Sequence, residues 1–154
     1  MAYYTKVLQP GETVRIVGRL HWLIFRRAIL LFIAAALLAV AAPWLPDPVW
    51  EHNARIAAAV VAVVAALTFI AEWIRRQATE FVVTNLRVIY KRGLISRHTV
   101  EMNISKVETV DVEQTVLGRM LDYGTVLVRG TGEGLEPLRH VSSPLALRNA
   151  ITVG

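Results

Sequence analysis

Two long stretches without a charged side chain, Ala28–Leu45 and Ile56–Ala71, lie close together in a chain of 154 residues. At about 1.5 Å of rise per residue the first reaches about 27 Å as a helix, close to the roughly 30 Å of a bilayer's hydrocarbon core. Glu72, Trp73 and Ile74 extend the second to the basic pair Arg75 and Arg76, and a linker, Pro46–Arg55, joins the two. The first stretch has no polar side-chain atom besides the Trp44 indole nitrogen, and the second only Thr68. A helix in a soluble domain carries a polar face at helical spacing, and a chain this short cannot wrap two wholly apolar helices in protein. The sequence therefore predicts a helical hairpin in a membrane. Arg26-Arg27, the apolar run and Ala39-Val40-Ala41 imitate a signal peptide. The long segment before the run, and apolar character continuing through Trp44 and Leu45, favour an uncleaved span.

Charge sets the orientation. The net charge of +5 is concentrated beside the apolar runs. Residues 1–27 hold Lys6, Arg15, Arg19, Arg26 and Arg27 against Glu12 alone, whereas residues 77–154 hold nine basic and eight acidic side chains. That distribution suits a membrane surface and argues against nucleic acid. Basic residues in short flanking segments prefer the cytoplasm, so both termini are expected there, with the Pro46–Arg55 linker outside. Trp22, Trp44, Trp50 and Trp73 sit at the run ends, where an indole suits the headgroup layer. Together with Arg26, Arg27, Arg75 and Arg76 they are the expected membrane-interface residues. Ala58, Ala62 and Ala66, with Ala35 and Ala39, form small-residue stripes four apart, suited to close helix packing within the hairpin or between copies. Glu72 precedes Arg75 and Arg76 by three and four residues, a spacing for a local ion pair.

After Arg76 alanine becomes scarce and β-branched residues alternate with polar ones. Strands are expected at about Glu80–Thr84, Arg87–Lys91, His98–Asn103, Val107–Glu113, Thr125–Gly130 and Leu135–Val141. Asn85-Leu86 makes a tight turn, since Asn tolerates left-handed geometry. Ser143 as N-cap and Pro144 in the first turn open a short helix through Ile151. Val14–Arg19 is either a further strand or a juxtamembrane arm. Strands followed by one terminal helix imply a small β-sandwich or barrel closed by that helix.

Particular residues carry a resemblance. Leu8-Gln9-Pro10-Gly11-Glu12, Leu20-His21-Trp22, Thr84-Asn85-Leu86-Arg87-Val88-Ile89, Gly93 and Ile104-Ser105-Lys106-Val107 come first. Gln114-Thr115-Val116-Leu117-Gly118-Arg119, Tyr123-Gly124-Thr125-Val126 and Gly130-Thr131-Gly132 follow. In this order, and with the paired apolar spans, the chain resembles the bacterial membrane-anchored pleckstrin-homology-like (PH-like) domain proteins. The resemblance implies an α+β membrane protein in which a two-helix transmembrane hairpin precedes a PH-like split β-barrel: two near-orthogonal sheets with a C-terminal helix plugging one end. Residues 1–27 would be a cytoplasmic juxtamembrane arm, 28–76 the hairpin and 77–154 the cytoplasmic PH-like domain, in a bacterial inner membrane. It implies little about activity, because a shared fold does not transfer function.

The sequence offers no chemistry. Without cysteine there is no thiol nucleophile, disulfide or zinc–thiolate site. His21, His52, His98 and His140 fall in separate segments, without a metal-ligand spacing. Gly130-Thr131-Gly132-Glu133-Gly134 connects two strands, whereas a phosphate cradle leads into a helix. Alternation sends Glu108 to one strand face and Asp111 and Glu113 to the other, so no acid/base pair is poised. An enzyme, a cofactor and a metal site are not expected. One patch is suggestive: Lys91, Arg92 and Arg97 around the turn at Gly93 would form a basic hairpin tip able to meet an anionic lipid headgroup. Two functions follow. The first is a non-catalytic scaffold, anchored in the bilayer, that binds protein partners or copies of itself through its sheet edges. The second is an anionic-lipid-sensing module working through the basic tip.

Overall fold

The computed structural model describes residues 7–93, 98–131 and 134–152. The chain divides into two compact units, residues 1–21 with 75–154 and residues 22–74.

The smaller unit is helical. A 3-10 turn at Trp22–Phe25 runs into α1 (Arg26–Ala41), a second 3-10 turn covers Ala42–Trp44, and α2 spans Pro48–Ala78, its last residues belonging to the other unit. The linker is thus shorter than sequence suggests. The Asp47 carboxylate accepts the Val49 N–H at 2.8 Å and Pro48 fills the first helical position, a start signal that carries the helix back through His52 and Arg55. Glu51 and Arg55 pair one turn apart. The segment Trp22–Trp44, which is α1 with its flanking 3-10 turns, and α2 are each long and apolar enough to cross a membrane. At about 1.5 Å per residue the 31 residues of α2 reach roughly 46 Å. Apart from Phe25, the buried side chains among the described residues of this unit are alanines. Ala28, Ala35 and Ala42 recur every seven residues, and so do Ala58 and Ala65. A seven-residue repeat keeps one narrow seam in contact along two helices, and methyl groups let the backbones approach. Of the four-spaced stripe, Ala35 and Ala58 lie buried, Ala62 and Ala66 are half-buried and Ala39 is exposed. Phe25 stacks on Phe69 with ring centroids 4.8 Å apart.

The larger unit is built on alternation. Phe81 and Val83 on β2 (Glu80–Thr84) face Tyr90 and Val88 on β3 (Arg87–Arg92) across an antiparallel register. β1 (Val14–Gly18) pairs with the outer edge of β2, and β4 (His98–Asn103) with β3, giving a four-stranded sheet in the order β1–β2–β3–β4. β5 (Val107–Glu113), β6 (Tyr123–Gly130) and β7 (Leu138–Ser142) form a three-stranded antiparallel sheet. Sequence places β2, β4 and β5 to the residue, starts β6 two residues late and sets the last strand three residues early at its start. Of the two readings of Val14–Arg19 within the 1–27 arm, strand or juxtamembrane arm, the strand is found: β1 belongs to the same sheet as β2, although the whole helical hairpin intervenes in sequence.

The two sheets meet at two corners. Beyond β1, Leu20 bridges Val141 of β7, the His21 N–H donates to the His140 carbonyl at 2.7 Å, and the Ser142 N–H donates to the Arg19 carbonyl at 2.9 Å. At the other corner a 3-10 turn, Ile104–Lys106, carries β4 into β5. Strand order therefore runs β4–β3–β2–β1, crosses at Leu20, and continues β7–β6–β5. It does not close: among the described residues β4 pairs only with β3 and β5 only with β6. The result is two small antiparallel sheets, open along a seam between β4 and β5, rather than a closed barrel.

Phe81, Val83, Val88, Tyr90, Val126, Val128, Leu138 and Val141 from both sheets meet Leu147 and Ile151 of α4 (Pro144–Thr152) in a single core. Leu147 and Ile151 stand four apart, on one face of the helix. Ser143 does not cap α4 with its hydroxyl as sequence suggests. At φ 50° it donates that hydroxyl to the Asp122 carboxylate, and its carbonyl accepts the Leu147 N–H. Sequence also passes over α3 (Val116–Met120), a five-residue helix between β5 and β6, capped by the Thr115 hydroxyl accepting from the Gly118 N–H at 3.0 Å.

Candidate functional site

Among the described residues a connected polar cluster gathers around Glu12. Its side chain is fully buried, and every acceptor position is used. Oε1 accepts from Thr84 Oγ1 at 2.7 Å and Arg87 Nε at 3.0 Å, while Oε2 accepts from the Gln9 N–H at 2.8 Å and Arg87 Nη2 at 2.9 Å. The Arg87 guanidinium also reaches Glu101 at 2.6 Å and the Val7 carbonyl at 2.7 Å. Two hydrogen bonds from the Arg87 fork outweigh the cost of burial and hold the Glu12 carboxyl down at about 2, while the Arg87 guanidinium is pushed up. Asn85 adds a second clasp, accepting from the Thr13 N–H at 2.9 Å and donating to the Gly11 carbonyl. The Gln9-Pro10-Gly11-Glu12 turn and the Thr84-Asn85-Leu86-Arg87 turn are thereby one structural lock. A carboxylate this saturated has no free lone pair for proton transfer, so the constellation holds β1 to the sheet.

A cavity of about 440 Å³ is lined by Leu20, Arg75, Thr79, Tyr90, Arg92, Glu136, Pro137, Leu138 and Arg139. Arg92 pairs with Glu136 at 3.0 Å, and Thr79 donates its hydroxyl to the Arg75 carbonyl at 2.9 Å. Burial pushes the Tyr90 phenol up. Three arginines against one carboxylate make this opening electropositive.

The expected basic tip is divided by the pleat. Consecutive strand residues point to opposite faces. Lys91 lies beside Glu80 at 3.8 Å, and Arg92 turns with Tyr90 toward the cavity and Glu136. Arg97 lies outside the described residues. Trp22, Arg26, Arg27, Trp44, Trp50, Trp73, Arg75 and Arg76 are all exposed at the ends of the helical segments. His21 is buried, stacked on Tyr123 at 5.3 Å, and burial pushes its imidazole down. No group of three or more His, Asp or Glu able to hold a metal ion occurs among the described residues.

Sequence reasoning misses Glu12, Glu136 and Arg139. A signal for Glu12 was present: it is the sole acid among residues 1–27, set directly after a Pro-Gly turn. Nothing in the local pattern marks Glu136 or Arg139.

One comparison with known proteins is positive. The family model described as the bacterial PH domain matches residues 20–152, a range covering both apolar helices and every strand except β1. No curated protein and no solved structure matches.

Proposed function

The chain belongs to the bacterial PH domain family, and from that premise we propose a non-catalytic membrane protein that holds its PH-like unit at the cytoplasmic face of a bacterial inner membrane. There the unit serves as a docking platform for protein partners or for further copies of the same chain. The observation that carries the anchor is the exposure of large apolar side chains on both helices. Leu37, Val40 and Leu67 are 65 %, 68 % and 62 % exposed, beside many others. Helices that hide alanine and display leucine suit lipid and not water. Basic pairs at Arg26-Arg27 and Arg75-Arg76 support a cytoplasmic location for the segments flanking the hairpin. The platform reading rests on the seam. Among the described residues, the outer edges of β4 and β5 have no strand partner, and an open edge accepts an added strand through backbone hydrogen bonds.

Gentle purification of the full chain tests this reading. A particle well above 17.1 kDa after subtraction of detergent, built from added copies or a bound protein, is expected. A strict monomer with no bound protein overturns the platform.

A second reading is favoured by the arginine-lined cavity: recognition of an anionic headgroup by Arg75, Arg92 and Arg139. It replaces a hairpin tip whose two described lysine and arginine side chains diverge. The full chain in detergent is expected to bind glycerol phosphate, and Arg139→Gln to weaken that binding. Equal binding by wild type and variant discards this reading.

A further inference from the structure

The five residues of α3 carry an apolar surface that its own unit leaves uncovered. Val116, Leu117 and Met120 are 66 %, 63 % and 77 % exposed, and Leu121 is 42 % exposed. Among the described residues of the PH-like unit, the other exposed large hydrophobics are Val14, Leu86 and Leu145, each standing apart in sequence. A surface helix normally turns its apolar side chains inward, and α3 does the reverse. Its inner face is Gly118, where a Cβ would lie 2.7 Å from the Tyr123 carbonyl. The Gln114 amide holds that face by donating to the carbonyls of Gly118 and Tyr123 at 3.3 and 3.2 Å. Backbone and amide fasten α3 inward, so the side chains of Val116, Leu117 and Met120 have only the outside to occupy. A contiguous exposed apolar patch marks an interaction surface.

We propose that α3 is an interfacial anchor whose Val116, Leu117, Met120 and Leu121 side chains insert into the headgroup–acyl boundary of the membrane. This rests on the anchored reading above. Three observations select lipid as the occupant. The first is placement. Tyr123, three residues beyond α3, stacks on His21, and the Leu121 backbone hydrogen-bonds that same imidazole, within reach of the Arg76 charge. Residues 21 and 76 are where the chain passes to and from the apolar helices, so within its own unit α3 lies beside the residues that join it to those helices. The second is charge. Between Glu113 and Asp122 the only ionisable side chain is Arg119, and Asp122 is engaged by the Ser143 hydroxyl. Within residues 114–121 the apolar side chains stand with one cation, Arg119, and no carboxylate, a composition that suits an anionic lipid surface. The third is size. Four apolar side chains fall short of the roughly 800 Å² per partner of a stable protein interface, but suit insertion to a depth of about 5–10 Å.

The chain has no cysteine, so single cysteines can be introduced without background. Leu117→Cys, Glu108→Cys and Ile33→Cys are each labelled with an environment-sensitive fluorophore in the full chain, reconstituted alone in vesicles containing phosphatidylglycerol. Nitroxide-bearing lipids then quench the probe according to depth. Quenching at position 117 several times that at position 108, with a blue-shifted emission, is expected, and Arg119→Glu should reduce it. Quenching at position 33 but not at 117 overturns the insertion and leaves the anchored reading standing. Quenching at neither overturns both. A blue-shifted but unquenched probe at 117 places a second copy of the chain on α3 and likewise refutes lipid as its occupant.

Discussion

Replacing Glu12 by glutamine keeps the shape of the side chain and removes the charge that holds β1 to the PH-like unit. The new amide would present N–H groups where Oε2 now accepts from Gln9 and Arg87, setting donor against donor in a fully buried position. The carboxyl is held at about 2 against an ordinary 4.5, and at about 1.4 kcal/mol per pKa unit that gap corresponds to roughly 3 kcal/mol. The same scale follows from breaking a buried ion pair on one side, about 3–5 kcal/mol. Glu12→Gln should therefore raise the opening equilibrium of β1 and β2 roughly a hundredfold. Glu101→Gln, on the solvent side of Arg87, should cost under about 1 kcal/mol. All four tryptophans lie outside this unit's sheets, so amide hydrogen exchange of β1, β2 and β3 in the full chain is the suitable assay. Acid adds a second signature. A carboxyl whose pKa is depressed by folding stabilises the protein above its unfolded value and loses that contribution as pH falls toward its folded value. Wild-type protection should decline from about pH 4.5 to about 2, and this decline should be absent in Glu12→Gln. Unchanged protection in Glu12→Gln, or an equal loss in Glu101→Gln, would refute the lock.

Other outcomes follow from the same geometry. A fragment of residues 77–154 lacks β1, Glu12 and the Leu20–Val141 bridge, and should give a poorly dispersed amide NMR spectrum. Joining residues 7–21 to 75–152 through a flexible linker should restore dispersion, and a well-dispersed 77–154 would contradict the role given to β1. Gly130→Ala would drive a methyl group into the Lys106 carbonyl at the corner between β4 and β5. A loss of about 1–3 kcal/mol is expected from such overpacking, read as a lower thermal midpoint. Burial holds the His21 imidazole below its ordinary 6.5. Stability from neutral His21 is present above that value and lost as pH falls below it, so His21→Gln should flatten the unfolding profile just below pH 6.5.

Much of the fold is legible because its signals are local. Phe81, Val83, Val88 and Tyr90 fall on one face by alternation alone, and Pro144 announces α4. The apolar runs show without any structure. What escapes depends on distance in sequence. Glu12 meets Arg87 across 75 positions and Arg92 meets Glu136 across 44, so neither pairing leaves a local trace. α3 is too short to show a period. The alanine seam misleads for the opposite reason: with alanines at so many positions, a four-residue stripe and the seven-residue seam at Ala28, Ala35 and Ala42 coexist, and packing chooses. In sequence the basic tip reads as one patch because Lys91 and Arg92 are neighbours in the chain, yet in a strand neighbours face apart.

The proposed hairpin crosses a membrane and returns both flanking segments to the cytoplasm. Single cysteines at Asp47→Cys, between the helices, and Asn149→Cys, on α4, can be probed with a membrane-impermeant maleimide on sealed, right-side-out cells. Labelling at position 47 before permeabilisation, and at position 149 only after it, is the expected result. Labelling of both positions from the same side, or full-length protein that stays dispersed and folded without detergent, would contradict it.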